Sequence, residues 1–313
     1  MNIKKYFFLL LLFVISASDL YSGDYPFQFL RYISTARASA LGGAFDAIVN
    51  DPNALFYNPA SVYTVKEKRF SASFLKHTLD INSGNISFSN YFNRVGVVAL
   101  SAAYSNYGSF QRANIVGTQT GTFSANDMSL SVSYANELDT NLFYGGSLKY
   151  IYENIDKYSS SAMALDVGIL YKLKDGRTNL GASILNVGTQ LSSFNGTSEP
   201  LPLDIRLGVN HRLKGLPLMV LASFHHLADK SDNFFGKFLN FSLGGELYVG
   251  QYVRVRLGYD NQIRSEAAPS GDKKLSGLSG GIGILAKFFN FDYSISQVGS
   301  AALLQRFSLS LDI

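Results

Sequence analysis

The chain has 313 residues, of which 16% are charged, against about 25% in soluble domains, while Tyr (19), Phe (24) and Gly (28) are abundant. The net charge, 27 − 23 = +4, comes without any basic run, which argues against nucleic-acid binding. The absence of Cys excludes a disulfide framework, thiolate metal sites and a lipid-anchored cysteine.

The amino terminus reads as an export leader over residues 1–22. Lys4 and Lys5 precede an apolar run from Tyr6 to Ile15, and Ser16-Ala17-Ser18 supplies small residues for cleavage near Ser18 or, alternatively, Ser22. The run is near ten residues, too short for the ~20 that a spanning helix needs. No other stretch approaches that length, so any membrane crossing by the mature chain must use strands.

Residues 24–65, within an N-terminal segment spanning 23–68, lack period-two alternation. Ser34 to Leu41 is small and helix-tolerant and stops at Gly42-Gly43. Asn50 to Ala60 reads as a short helix, with Asp51 as its cap and Pro52 as the first helical residue, where the missing N–H costs nothing. Asn58 before Pro59 is pushed out of helical geometry. Such a Gly/Pro-punctuated segment ahead of a barrel predicts a plug or hatch. Arg37, Asp46, Asp51 and Asn58 are its candidate contacts with a charged lumen.

Residues 69–313 alternate repeatedly. Met128-Ser129-Leu130-Ser131-Val132-Ser133-Tyr134 and Phe307-Ser308-Leu309-Ser310-Leu311-Asp312-Ile313 each present one apolar and one polar face. Fourteen strands are expected, near 69–79, 84–93, 94–106, 126–137, 140–155, 159–173, 176–187, 202–213, 216–227, 237–249, 251–261, 276–287, 289–297 and 303–313. These lengths suit bilayer-crossing strands of about 9–11 residues. Connections after even-numbered strands are tight, whereas 107–125, 188–201, 228–236 and 262–275 follow odd-numbered ones. That parity predicts an all-β, antiparallel transmembrane barrel with both termini in the periplasm.

The face opposite the apolar one carries Lys149, Glu153, Asp166, Arg206, Arg212, Glu246, Arg254, Arg256, Asp260, Asp292 and Arg306. A lipid-facing Arg or Lys at the midplane would cost about 2–4 kcal/mol, so this face should line the lumen. Both signs occur, which predicts paired charges rather than a single-sign filter.

Catalytic chemistry is not indicated. The histidines are His77, His211, His225 and His226; the last two, adjacent on a predicted strand, should face opposite sides and not chelate together. Gly281-Ile282-Gly283-Ile284-Leu285-Ala286 matches a dinucleotide pattern formally but lies within an alternating strand, where glycines that let the wall bend or a plug approach are the better reading. No nucleophile elbow or phosphate-binding loop is present. The expectation is a protein that is not an enzyme and carries no metal or cofactor.

Two motifs carry a resemblance. Ala36-Arg37-Ala38-Ser39-Ala40-Leu41-Gly42-Gly43-Ala44-Phe45-Asp46-Ala47 and Asn50-Asp51-Pro52-Asn53-Ala54-Leu55-Phe56-Tyr57-Asn58-Pro59-Ala60 resemble the amino-terminal signature of the PorV/PorQ family, within the FadL-like outer-membrane channels. Ser61 stands where Gly is frequent in that signature, and Pro52 interrupts its acidic stretch. The hatch residues singled out are Gly42, Gly43, Asp51, Asn58, Pro59 and Ala60. The resemblance implies a fourteen-stranded outer-membrane barrel with an N-terminal hatch. It further implies a part in type IX secretion with secretion subunits or cargo proteins as partners, or alternatively passage of hydrophobic small molecules.

Overall fold

Alternation with period two gives each strand one greasy and one polar face, and only closure of the sheet pairs every edge while separating the two faces. A computed structural model describes residues 26–33, 35–77, 81–231, 234–266, 275–299 and 302–313; the predicted leader at 1–22 lies outside them. Fourteen strands follow in chain order: β1 Arg69–Lys76, β2 Asn82–Phe92, β3 Gly96–Ala113, β4 Gln119–Asp139, β5 Leu142–Ile155, β6 Tyr158–Lys172, β7 Thr178–Ser192, β8 Asp204–Arg212, β9 Leu218–Phe224, β10 Phe241–Val249, β11 Val253–Asp260, β12 Leu278–Leu285, β13 Phe289–Val298 and β14 Ala302–Asp312. Each pairs antiparallel with its sequence neighbour, and β14 closes onto β1 with Phe74 opposite Phe307, so the sheet is a closed barrel. Among the described residues no helix is long and apolar enough to cross a membrane.

The faces separate as the alternation requires. On β4, Ser129, Ser131 and Ser133 are buried inside, while Leu130 and Val132 remain 46% and 53% exposed outside. Ser131 meets Ser101 across the β3–β4 pair, and Ser133 meets Ser147 across β4–β5, in hydroxyl hydrogen bonds of 2.5 and 2.7 Å.

Connections after even strands are short throughout: residues 93–95, 140–141, 173–177, 213–217, 250–252 and 286–288. They define a tight-turn end, where both Arg69 and Asp312 lie. The long-loop end departs from expectation at two strand pairs. Residues 107–125, read from sequence as a loop, continue β3 and β4 into a projecting ribbon, broken only by the turn at 114–118. Phe110 and Phe123 stack across it at 5.2 Å, and Gly117 takes a left-handed φ of 82° in the turn. Polar residues on both sides of this ribbon remove the one-sided alternation by which the other strands are recognised. Likewise β7 runs on to Ser192 through residues expected to be loop.

Residues 35–65 pack within the barrel. They comprise α1 (Ala36–Ala40) and two 3-10 turns, Pro52–Phe56 and Pro59–Thr64. Asp51 caps the first turn, its Oδ1 accepting from the Asn53 N–H at 2.9 Å, with Pro52 in the first position. The single helix expected over 50–60 is split because Asn58, held extended at φ −153° ahead of Pro59, starts a second turn of its own. Leu55, Val62 and Tyr63 pack against Phe143, Leu170 and Val97 of the wall, and Leu41, Phe45 and Ile48 against Met219 and Leu221.

Candidate functional site: the lumen and its N-terminal segment

Small residues let the segment sit hard against the wall. Gly42 and Gly43 adopt left-handed φ angles of 66° and 85°, ending α1 as the sequence indicates. A Cβ on Gly42 would stand 2.6 Å from the backbone of Tyr259, and one on Gly258 would collide with Gly42 N. Wall glycines repeat this recess: a Cβ on Gly145 would lie 2.6 Å from Pro59, and one on Gly281 2.6 Å from Ala40. Gly281 thus serves close approach rather than dinucleotide binding.

Ionic contacts then tie the segment to the strands. The Arg37 guanidinium donates to Glu246 at 2.9 and 3.0 Å and to Asp51 at 3.0 Å. Glu246 also accepts from Arg256 at 2.6 Å, which in turn donates to Asp292 at 2.6 Å. Burial works against the Arg37 cation, but Glu246 and then Asp51 outweigh it and hold its pKa above the ordinary value. On the opposite side Arg206 bridges Asp46 of the segment, at 2.5 Å, and Asp204 of β8, at 2.9 Å. Burial pushes the Asp46 carboxyl upward and Arg206 pulls it back. Asn58 donates its Nδ2 hydrogens to Asp46 O and to Ile169 O of β6, both at 2.9 Å. Pro59 and Ala60 make the following turn against Gly145.

Of the predicted lumen charges, Lys149 and Asp166 form a separate pair at 2.7 Å, to which Asn186 adds hydrogen bonds on both sides. Arg254 and Arg212 face inward but join no carboxylate among the described residues; Arg254 donates to backbone carbonyls of Gly250, Gln251 and Val253. Arg306 likewise meets no acid among the described residues, donating to Ile33 O and Ser296 Oγ at 2.7 Å. Glu153 accepts from the Phe27 N–H.

The two adjacent histidines overturn a sequence expectation. β9 ends at Phe224, and His226 takes a left-handed φ of 53°, so the strand rule no longer applies to the pair. Both rings turn inward and are buried, with Nδ1 atoms 3.3 Å apart. His225 reaches Ser242 at 3.1 Å and Asp260 at 3.6 Å, while His226 reaches Gln262 at 2.6 Å and Asp204 at 3.4 Å. The described residues contain no group of three or more His, Cys, Asp or Glu placed to hold a metal.

Burial first, then the nearby His226 and Arg206, push the His225 pKa well below its ordinary value, so the imidazole is neutral in the folded protein. In the unfolded chain it would protonate near pH 6.5. Below that pH the unfolded state binds the extra proton. This contribution to stability is therefore complete above pH ~6.5 and is lost as the pH falls, by up to about 1 kcal/mol per pH unit. Guanidinium titrations at pH 7.5 and 5.5 should show the acid loss shrinking in His225→Asn; an unchanged difference would remove His225 as its source.

Two cavities flank the packed segment. One of about 540 Å³ at the long-loop end is lined by Tyr32, Leu75, His77, His226 and Arg306. The other, about 330 Å³, lies at the tight-turn end beside Asp51 and Glu246. Which charges tie the segment to the wall was not visible in the sequence, because Arg37–Glu246 and Asp46–Arg206 join residues more than 100 positions apart.

No protein-family model matches the chain, nor does any curated protein sequence. Solved structures match in fold. The Pseudomonas putida toluene transporter TodX aligns with a TM-score of 0.62 at 13% identity, over 89% of this chain and 98% of that one. The Ralstonia pickettii toluene transporter TbuX gives 0.55 at 13%, over 88% and 96%. A Pseudomonas aeruginosa FadL homologue gives 0.53 at 13%, over 89% and 98%. The chain shares the fold of these channels. The narrower PorV/PorQ resemblance finds no support among the matches. The neighbours are channel and transporter structures.

Proposed function

We propose that this protein is an outer-membrane channel for hydrophobic small molecules, in which the packed segment over 35–65, within the expected hatch at 23–68, forms the hatch. The observation that carries this reading is a closed fourteen-stranded wall, apolar outside and lined by serine and paired charges inside, whose lumen is occupied by the chain's own N-terminal segment. Outward residues such as Leu100, Val132, Leu148, Leu165 and Leu257 are exposed in a way water disfavours and lipid tails suit. The fold shared with toluene transporters and a FadL homologue supports the hydrophobic cargo over a secretion role. On this reading the leader at 1–22 directs export and the tight-turn end faces the periplasm.

The test is fractionation followed by uptake. The protein should be recovered with outer membranes and migrate faster on gels before heating than after. Cells carrying it should take up toluene or a long-chain acid faster than cells lacking it. Recovery as a soluble protein, or unchanged uptake across a panel of hydrophobic compounds, defeats the reading. A type IX secretion accessory of the PorV/PorQ kind is the second reading, resting on the motifs at Ala36–Ala47 and Asn50–Ala60. Crosslinking in solubilised membranes that captures secretion subunits or cargo, with uptake unchanged, would favour it.

A further inference from the structure

We propose that the tight-turn mouth of the lumen binds a phosphate group, held by Arg177, Arg212 and Arg254. Five arginines and three carboxylates line this cavity of about 330 Å³, an excess of 5 − 3 = +2. The three carboxylates are already engaged: Glu246 by Arg37 and Arg256, Asp51 by Arg37, and Asp292 by Arg256. Arg177, Arg212 and Arg254 have no carboxylate partner among the described residues and are the arginines left to meet a ligand.

Two of the three are held in place, while Arg177 sits on the exposed turn beside them. The Arg212 and Arg254 guanidinium carbons each lie 4.4 Å from the centroid of the Tyr248 ring, an aromatic face that partly offsets their charge. Carbonyls of Gly250, Gln251 and Val253 fix the other side of Arg254. Like charges gathered at one mouth repel, and a bound anion relieves the repulsion. Planar guanidinium forks match oxyanions geometrically, and the several acceptor oxygens of a phosphate can engage more than one fork. Asn290, which also lines the cavity, offers a neutral amide for a remaining oxygen. The phosphate could come from a soluble phosphate or from a phospholipid headgroup at the turn end of the wall; the recognising chemistry is shared.

The full chain, purified in a non-ionic detergent, is titrated calorimetrically with inorganic phosphate at constant ionic strength set by chloride. Dihexanoyl phosphatidic acid and dihexanoyl phosphatidylcholine are titrated in parallel. Saturable binding is expected that weakens at least tenfold in Arg212→Gln/Arg254→Gln, with the folded state verified by heat-modifiable migration. Arg177→Gln, on an exposed turn, should weaken it several-fold and provides the answer if the double variant does not fold. Binding of inorganic phosphate assigns a soluble ligand, and binding of the phospholipids alone assigns a headgroup. No saturable heat from any of these compounds, or equal affinity in the variants, overturns the site. Hydrocarbon uptake by the same variants keeps the two proposals apart: lost uptake in the wild type bears on the channel alone, lost phosphate binding on this site alone.

Discussion

Alanine at Gly258 or Gly42 should release the N-terminal segment from the barrel. At Gly258 the new methyl group would meet Gly42 N and the Leu41 carbonyl carbon, both backbone atoms that cannot swing aside. At Gly42 it would meet the Tyr259 backbone at 2.6 Å. Overpacking of this kind costs about 1–3 kcal/mol, and a left-handed non-glycine residue at Gly42 adds about 1–2 kcal/mol. The wall itself, closed by strand pairing all round, has no need of the contact. The expected phenotype is therefore a folded barrel with a protease-sensitive segment over 35–65 and raised permeability to polar solutes. Gly245→Ala is the control: it lies on the outward face of β10, and its nearest contact would be Leu218 Cδ1 at 3.9 Å. Equal protease resistance in Gly258→Ala and Gly245→Ala would show that close backbone approach does not hold the segment.

Arg206→Met should be the most damaging change among the lumen charges. Arg206 is the cation between Asp46 and Asp204, and all three side chains are at least nine-tenths buried. Removing it leaves two buried carboxylates with a lost partner, a change that costs about 3–5 kcal/mol when a buried pair is broken from one side. Arg254→Gln, by contrast, removes hydrogen bonds to turn carbonyls and the contact with the Tyr248 ring but breaks no ion pair, and should cost about 1 kcal/mol. Hydrogen exchange at Leu41 to Ile48 in detergent gives the comparison. If exchange there accelerates no more in Arg206→Met than in Arg254→Gln, the Asp46–Arg206–Asp204 bridge does not anchor the segment.

Alternation, tight-turn parity and one-sided charge were properties of the chain itself, and they specified strand number and strand face. Period two needs no knowledge of a partner: once Leu130 points out, Ser131 points in. The same local logic placed Asp51 as a cap, since it acts on a backbone N–H only two residues away; the second cap, Asn58, emerged only with the split of the expected helix. Where alternation lapses, the strands carry no local mark. The polar ribbon of β3 and β4 had no oily face to mark it, and the left-handed His226 turned a supposed strand pair into two inward, touching rings.

What only the tertiary structure decided is who meets whom across the lumen. Arg37 finds Glu246 across 209 positions, and Asp46 finds Arg206 across 160. Sequence can say that a charge faces inward, but the depth of each strand in the wall and the path of the packed segment choose its partner. The same holds for the arginines at the tight-turn mouth. Eleven charges share one face in the sequence; only closure of the barrel decides which of them, like Arg206, meet an opposite charge and which, like Arg212 and Arg254, do not among the described residues.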